Sequence, residues 1–231
     1  MGTSTVRLFR AILAGGAAVA AYALVVRPWH LRWGATDEEV KMPFPGDEFV
    51  EQPKLNATHA ITINAPAAKV WPWLVQIGQH RGGFYSYTWL ENLVGCQMHN
   101  ADRIVPEWQE LKAGDEVWLH PKAPPLRVWA IDPGRAIVLE KFWTFFLRPI
   151  DEQRTRLIVR GRGDFNPDLR NALLNFLYWR VIFEPAHFIM ERKMLLGIKN
   201  RVEENGDSHG YADESVDKRH GLEGRSRATK T

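Results

Sequence analysis

Hydrophobic and polar positions change period several times along the 231-residue chain. Ala11 to Val26 is sixteen residues without a charge, and the run is apolar on every face. Residues 34–57 are polar. From His59 to Pro66, "HAITINAP" alternates, with Ala60, Thr62 and Asn64 against Ile61, Ile63 and Ala65. That period of two predicts a strand. Val70, Trp73, Leu74 and Ile77 then recur at helical spacing, with Pro66 suited to the first turn, Pro72 placed to bend the helix and Gly78 to end it. A second short helix is predicted over 87–94: Thr88 and Glu91 have capping-box spacing, Leu90, Leu93 and Val94 share a face, and Gly95 terminates.

Beyond residue 104 the period returns to two. Strands are predicted at 115–120, 126–131, 136–142, 144–150 and 155–163, separated by "PKAPP", "DPGR" and "DEQR". Spacers this short make hairpins, so the sheet is antiparallel. In the last strand Arg156, Ile158, Arg160 and Arg162 share one face, and Leu157, Val159, Gly161 and Gly163 the other. The arginine row most simply faces water, with an anion-binding face as the alternative. The two glycines let the sheet bend or another element come close. Residues 166–204 read as helix, capped by Asn166 and Pro167 and interrupted at Glu184-Pro185, because a residue before proline avoids the helical region. Residues 205–231, Gly- and Ser-rich with five acids and five bases, read as a disordered tail.

The uncharged run near the start has three readings. At ~1.5 Å per residue it is roughly 24 Å long. Arg10 and Arg27 can snorkel to complete a membrane span, with Trp29, His30, Arg32 and Trp33 as an interfacial belt. Ala18-Val19-Ala20 offers a signal-peptide cleavage triplet, although the apolar run continues past it. A buried helix is the third. The expected location is a membrane, held by a single-pass N-terminal helix over 1–33, followed by the connector 34–57. That connector has a capped turn at "TDEE" and then runs extended through "MPFPGDEF".

Composition narrows the classes. The net charge of +3 is misleading, because Arg7, Arg10, Arg27 and Arg32 put +4 into the first 32 residues, where no acid occurs. The remainder sums to −1, so nucleic acid is not expected as a partner. Cys96 is the sole cysteine, which excludes an internal disulfide and a cysteine zinc cage. Ten tryptophans point to a cavity lining or a membrane interface.

The stretches "ITINAPAAKVWPWLVQIGQHRGGFYSYTWLENLVG", "HNADRIVPEWQELKAGDEVWL", "TRLIVRGRG" and "EPAHFIMERKMLLGIK" resemble the START-like, or SRPBCC, superfamily of polyketide cyclases and lipid-transfer proteins, over about residues 28–204. The resemblance implies an α+β helix-grip fold over 58–204: a curved antiparallel sheet around a long C-terminal helix, with a hydrophobic cavity between them. It implies a lipid, isoprenoid or polyketide-like ligand, or a cyclase-, aromatase- or hydrolase-like activity in the same cavity. It supplies no catalytic set and no cofactor.

The expected ligand-binding residues are Trp73, His80, Arg81, Phe84, Tyr85, Tyr87, Trp89, Trp118, Trp129, His187, Met190 and Met194. Aromatics around Gly82-Gly83 would line the mouth, and His80 and Arg81 would hold an anionic or carbonyl head group, or serve an enzyme there, unless they form a solvated loop. His187 and Glu191, four apart, are either an acid–base pair or a plain surface pair. Met190 and Met194 give an adaptable wall or ordinary core. "HNAD" at 99–102 sets His99 and Asp102 three apart, but loop capping suits it better than metal binding, and no metal site is expected. A filled core with no cavity would leave only a structural or interaction role.

Overall fold

A computed structural model describes residues 3–140, 142–164 and 171–204. The expected tail over 205–231 and the cap at Asn166-Pro167 lie outside them. Six strands form one antiparallel sheet: β1 (Leu55–Ile63), β2 (Glu116–Val117), β3 (Leu126–Asp132), β4 (Ala136–Leu139), β5 (Trp143–Pro149) and β6 (Thr155–Gly163), in the order β1-β6-β5-β4-β3-β2. Consecutive strands β2 to β6 pair as hairpins, as their short turns require. β1 closes on the last strand, with Leu55 opposite Gly163 and Ile63 opposite Thr155.

Between β1 and β2 lie α4 (Ala67–Val75) and α5 (Thr88–Leu93). A long helix, α7, spans 184–204. Its Met194, Leu195, Ile198 and Val202 pack with Val128, Phe145, Leu147, Leu157 and Val159 on the inner sheet face. The fold is therefore α+β, a six-stranded antiparallel sheet against a long C-terminal helix. β2 is shorter than the predicted 115–120. The reason lies beside it, where the Trp118 carbonyl accepts from Gln79 N at 2.8 Å and leaves the ladder for the loop after α4.

The arginine row does not face water. Its partner is the connector, which folds onto the outer sheet face instead of running free over the surface. Thr36 and Glu39 form the expected capping box at the start of α3 (Asp37–Lys41). Glu39 is fully buried and accepts from Arg156 and Arg148. Arg160, also buried, donates to the carbonyls of Glu39, Val40 and Met42 and to Asp47, all within 3 Å. Its guanidinium sits 4.1 Å over the Phe44 ring. A side chain with five donors and no acceptor can bridge this many carbonyls at once.

The start of the chain departs most from expectation. α1 (Thr3–Ala21), a π-helical stretch Tyr22–Val26 and α2 (Arg27–His30) follow without a break. No helix among the described residues is long and apolar enough to cross a membrane, so the single-pass span is not supported. The expected flank of that span is also tied to the domain. Arg27 pairs with buried Glu184 at 2.8 Å, His30 is buried, and Trp33 packs against the main core. The carbonyls of Leu31 and Trp33 accept from Thr58 and Ala60, covering the outer edge of β1.

Glu184-Pro185 does not break the last helix either. A π-helical stretch, Tyr178–Phe183, follows α6 (Ala172–Leu177), and Glu184 stays helical with its N–H on Trp179 O. In that i→i−5 pattern Pro185 would serve the Arg180 carbonyl but has no N–H. The Tyr22 hydroxyl donates to that carbonyl at 2.7 Å and fills the gap.

Replacing Arg160 with Ala strands three carbonyls and Asp47 under the connector. The expected loss is about 3 kcal/mol, typical of breaking a buried pair, read as a lower urea midpoint at unchanged slope.

Candidate functional site

Between the sheet, α5 and the start of α7 lies a cavity of about 370 Å³. Phe84 and Ser86 come from the loop before α5, and Glu91, Val94, Cys96 and Met98 from α5 and its exit. Leu119 and His120 follow β2, while Phe142 and Trp143 lie at the start of β5. Phe183, Ala186, His187, Met190, Glu191 and Met194 line the helical side, spaced three and four apart. Among the described residues the wall is almost wholly apolar.

Behind this wall is a polar cluster. Glu191 is completely buried. Trp143 Nε1 donates to Glu191 Oε2 at 2.8 Å, His59 Nδ1 lies 2.8 Å from Oε1, and His187 Nε2 lies 2.9 Å from Oε2. Burial alone would raise the Glu191 pKa, but His187 and His59 outweigh it and hold the carboxyl far below its usual range. The other nitrogen of His59 lies 2.7 Å from the His30 carbonyl. Both ring nitrogens of His59 therefore lie within hydrogen-bond distance of oxygen atoms. His187 is thus close to Glu191, but neither of its buried ring nitrogens makes a hydrogen bond among the described residues. A histidine beside a carboxylate at a cavity wall is a pair of groups able to exchange protons.

Gly161 makes room for that ring. A Cβ there would lie 3.1 Å from His187 Cε1, so the expected close approach at β6 is the seat of the histidine. Across the cavity Glu91, nearly buried, has a carboxyl oxygen without a partner, and burial pushes its pKa up to about 7. Its capping-box reading fails, because Tyr87 is the N-cap and no side-chain cap forms. The residue turns inward instead.

Of the expected ligand residues, Phe84, His187, Met190 and Met194 meet on the cavity wall. The others do not. Trp73 and Tyr85 are core, stacked edge-to-face, with the Tyr85 hydroxyl donating to Trp73 O at 3.0 Å. His80 is exposed at positive φ, and Arg81 is a brace donating to the carbonyls of Val75 and Trp108. Tyr87 lies under Lys193, Trp89 faces solvent, and Trp118 is half-buried beside the loop after α4. Trp129 stacks on Phe49 at the outer face. In "HNAD", Asn100 accepts from Tyr85 N and donates to Ser86 O, and Asp102 pairs with Arg201. The Gly82-Gly83 turn has a packing cause: a Cβ on Gly83 would lie 2.5 Å from the His99 carbonyl.

His59, Glu91 and Cys96 were not among the expected residues. His59 is 132 positions from Glu191, so no local spacing signals the pair.

No family model matches the chain, and no curated protein matches it. Among solved structures it is similar to a polyketide-cyclase-like protein of Corynebacterium glutamicum, determined by NMR in solution. The identity is 14%, the TM-score is 0.34, and the match covers 69% of this chain and 98% of the other. A likeness at that level does not place the chain in a family.

Glu91 gives a pH test with a defined sign. Its folded pKa of about 7 lies above the ordinary value of 4.5, so the folded state holds the proton more tightly. Stability is full below the ordinary value and falls as pH rises through about 7, by at most about 3 kcal/mol. Thermal melts from pH 5 to 8 should show this decline in the wild type and a flatter profile in Glu91→Gln.

Proposed function

We propose that the protein binds a hydrophobic small molecule (a lipid, isoprenoid or polyketide-like compound) in the cavity between α5, the sheet and α7. The observation that carries this reading is a cavity of about 370 Å³ with an apolar wall, in the size range of small-molecule sites. Met190 and Met194 supply an adaptable wall, and four rings (Phe84, Phe142, Trp143 and Phe183) supply flat apolar area. A ligand burying ~300 Å² of apolar surface there gains on the order of 7 kcal/mol before ordering costs.

The test is native mass spectrometry of the full chain as purified, with thermal shifts across a panel of apolar compounds. A co-purifying apolar mass and a positive shift are expected. Met190→Trp, which fills the cavity, should abolish both and leave a cooperative melt. Repeated recovery of empty protein with no shift across the panel would remove the reading.

A second reading is an enzyme of the cyclase, aromatase or hydrolase kind, and one observation favours it. The same cavity is lined by His187, which lies 2.9 Å from Glu191, and by Glu91, whose pKa of about 7 suits a proton donor. Proton abstraction by His187 and protonation of a carbonyl oxygen by Glu91 would convert a ketone to its enol with no other reactant. Deuterium exchange next to the carbonyl of a bound apolar ketone should then stop in His187→Ala and Glu91→Gln. Exchange that persists in both variants excludes these roles.

A further inference from the structure

Among the described residues a large apolar surface lies uncovered around the cavity mouth. On the first helical run Val19, Leu24 and Val25 are each more than 60% exposed. On the second, Leu174, Phe176, Val181, Ile182 and Ile189 are all exposed. The two runs are locked together at one end by the Arg27–Glu184 ion pair and the hydrogen bond from the Tyr22 hydroxyl to the Arg180 carbonyl, and an open groove of about 620 Å³ lies between them. A soluble surface rarely carries so much contiguous apolar area without a partner.

Two observations identify the partner. The first is continuity with the cavity. Ile182, Ala186 and Ile189 follow at four and three residues along one stripe, and Ala186 is also a cavity-wall residue. Val94, 67% exposed beside Leu93 and Trp89 at the end of α5, stands on the cavity wall as well. The uncovered helices and the cavity mouth therefore form one apolar surface. The second is charge. Arg7 and Arg10 are exposed, and no acid precedes Asp37. Between Asn171 and Met190 the sole acid is Glu184, which is buried and paired with two arginines. On the neighbouring turn Arg192 and Lys193 lie over Trp33 and Tyr87. Apolar faces bordered by arginine, lysine and tryptophan suit an anionic bilayer surface, where the rings settle at headgroup level and the cations meet phosphate.

We infer that both helical runs and the end of α5 seat the domain on an anionic membrane surface, with the cavity mouth against the lipid. This is interfacial docking and not a span, and it involves residues 171–189 as much as the N-terminal helix. The orientation deepens the ligand-binding reading and rests on it: an apolar ligand passes between bilayer and cavity without crossing water.

The test is flotation of the full chain with preformed vesicles of phosphatidylcholine, with and without phosphatidylglycerol, and no added ligand. The wild type should float, more so with the anionic lipid and less at high salt. The double variant Val181→Asp/Ile182→Asp should lose about tenfold or more in partitioning, with an unchanged melt. Val181→Leu/Ile182→Leu should float like the wild type, which separates apolarity from a packing fault. Unchanged flotation of the aspartate variant would mean that the N-terminal helix anchors alone, and would overturn the proposal. So would a wild type that ignores vesicles and is a dimer broken by the same two changes, since a second copy would then cover the face. Met190→Trp separates this from the ligand reading. It should float normally while taking up no apolar compound. A wild type that takes up ligand from solution but never floats refutes docking alone.

Discussion

The buried carboxylate of Glu191 organises this molecule. It sits on α7 and is met by His59 from β1, Trp143 from β5 and His187 one turn earlier. A charge taken wholly out of water is costly unless its partners are well placed. Here the partners come from the edge strand β1, from β5 two places further in, and from the helix packed across them. Contacts to one group therefore tie β1, β5 and α7 together, with the His187 ring beside it at the cavity wall.

A second constraint acts on the opposite face of the sheet. Arg156, Arg160 and Arg162 would be a like-charged ladder in water. Instead Glu39, Asp47 and a set of main-chain carbonyls from 39–50 receive them. The connector thereby becomes a third layer, built on hydrogen bonds to arginine more than on apolar burial. Its one small apolar cluster, Phe44 with Ala60 and Ile158, lies directly under Arg160. The inner face could then be given over to aromatic and aliphatic packing around a void.

Much of the fold was legible because it depends on local pattern. Alternation gave the strands, short polar spacers gave antiparallel pairing, and Gly161 marked a close approach. Residues 155–163 match β6 end to end. The site was less legible, because its determinants are long-range. Phe84, His187, Met190 and Met194 were found from aromatic content and helical spacing. Glu91 was misread as a cap, since Thr-x-x-Glu spacing looks the same whether the glutamate turns back to the backbone or inward. The arginine row looks identical on a solvated face and on one covered by a strap. The π-helical stretches before Pro28 and Pro185 keep each helix running where a proline predicts an end, and nothing local announces the tyrosine hydroxyl that substitutes for a missing N–H.

The carbonyls of Leu31 and Trp33 along β1 have one more consequence. A bare outer strand is a template on which other polypeptides can polymerise. Here one border of the sheet is already occupied by its own chain, and the other, β2, is two residues long. Among the described residues, few backbone groups along these two borders are left for a second copy to pair with.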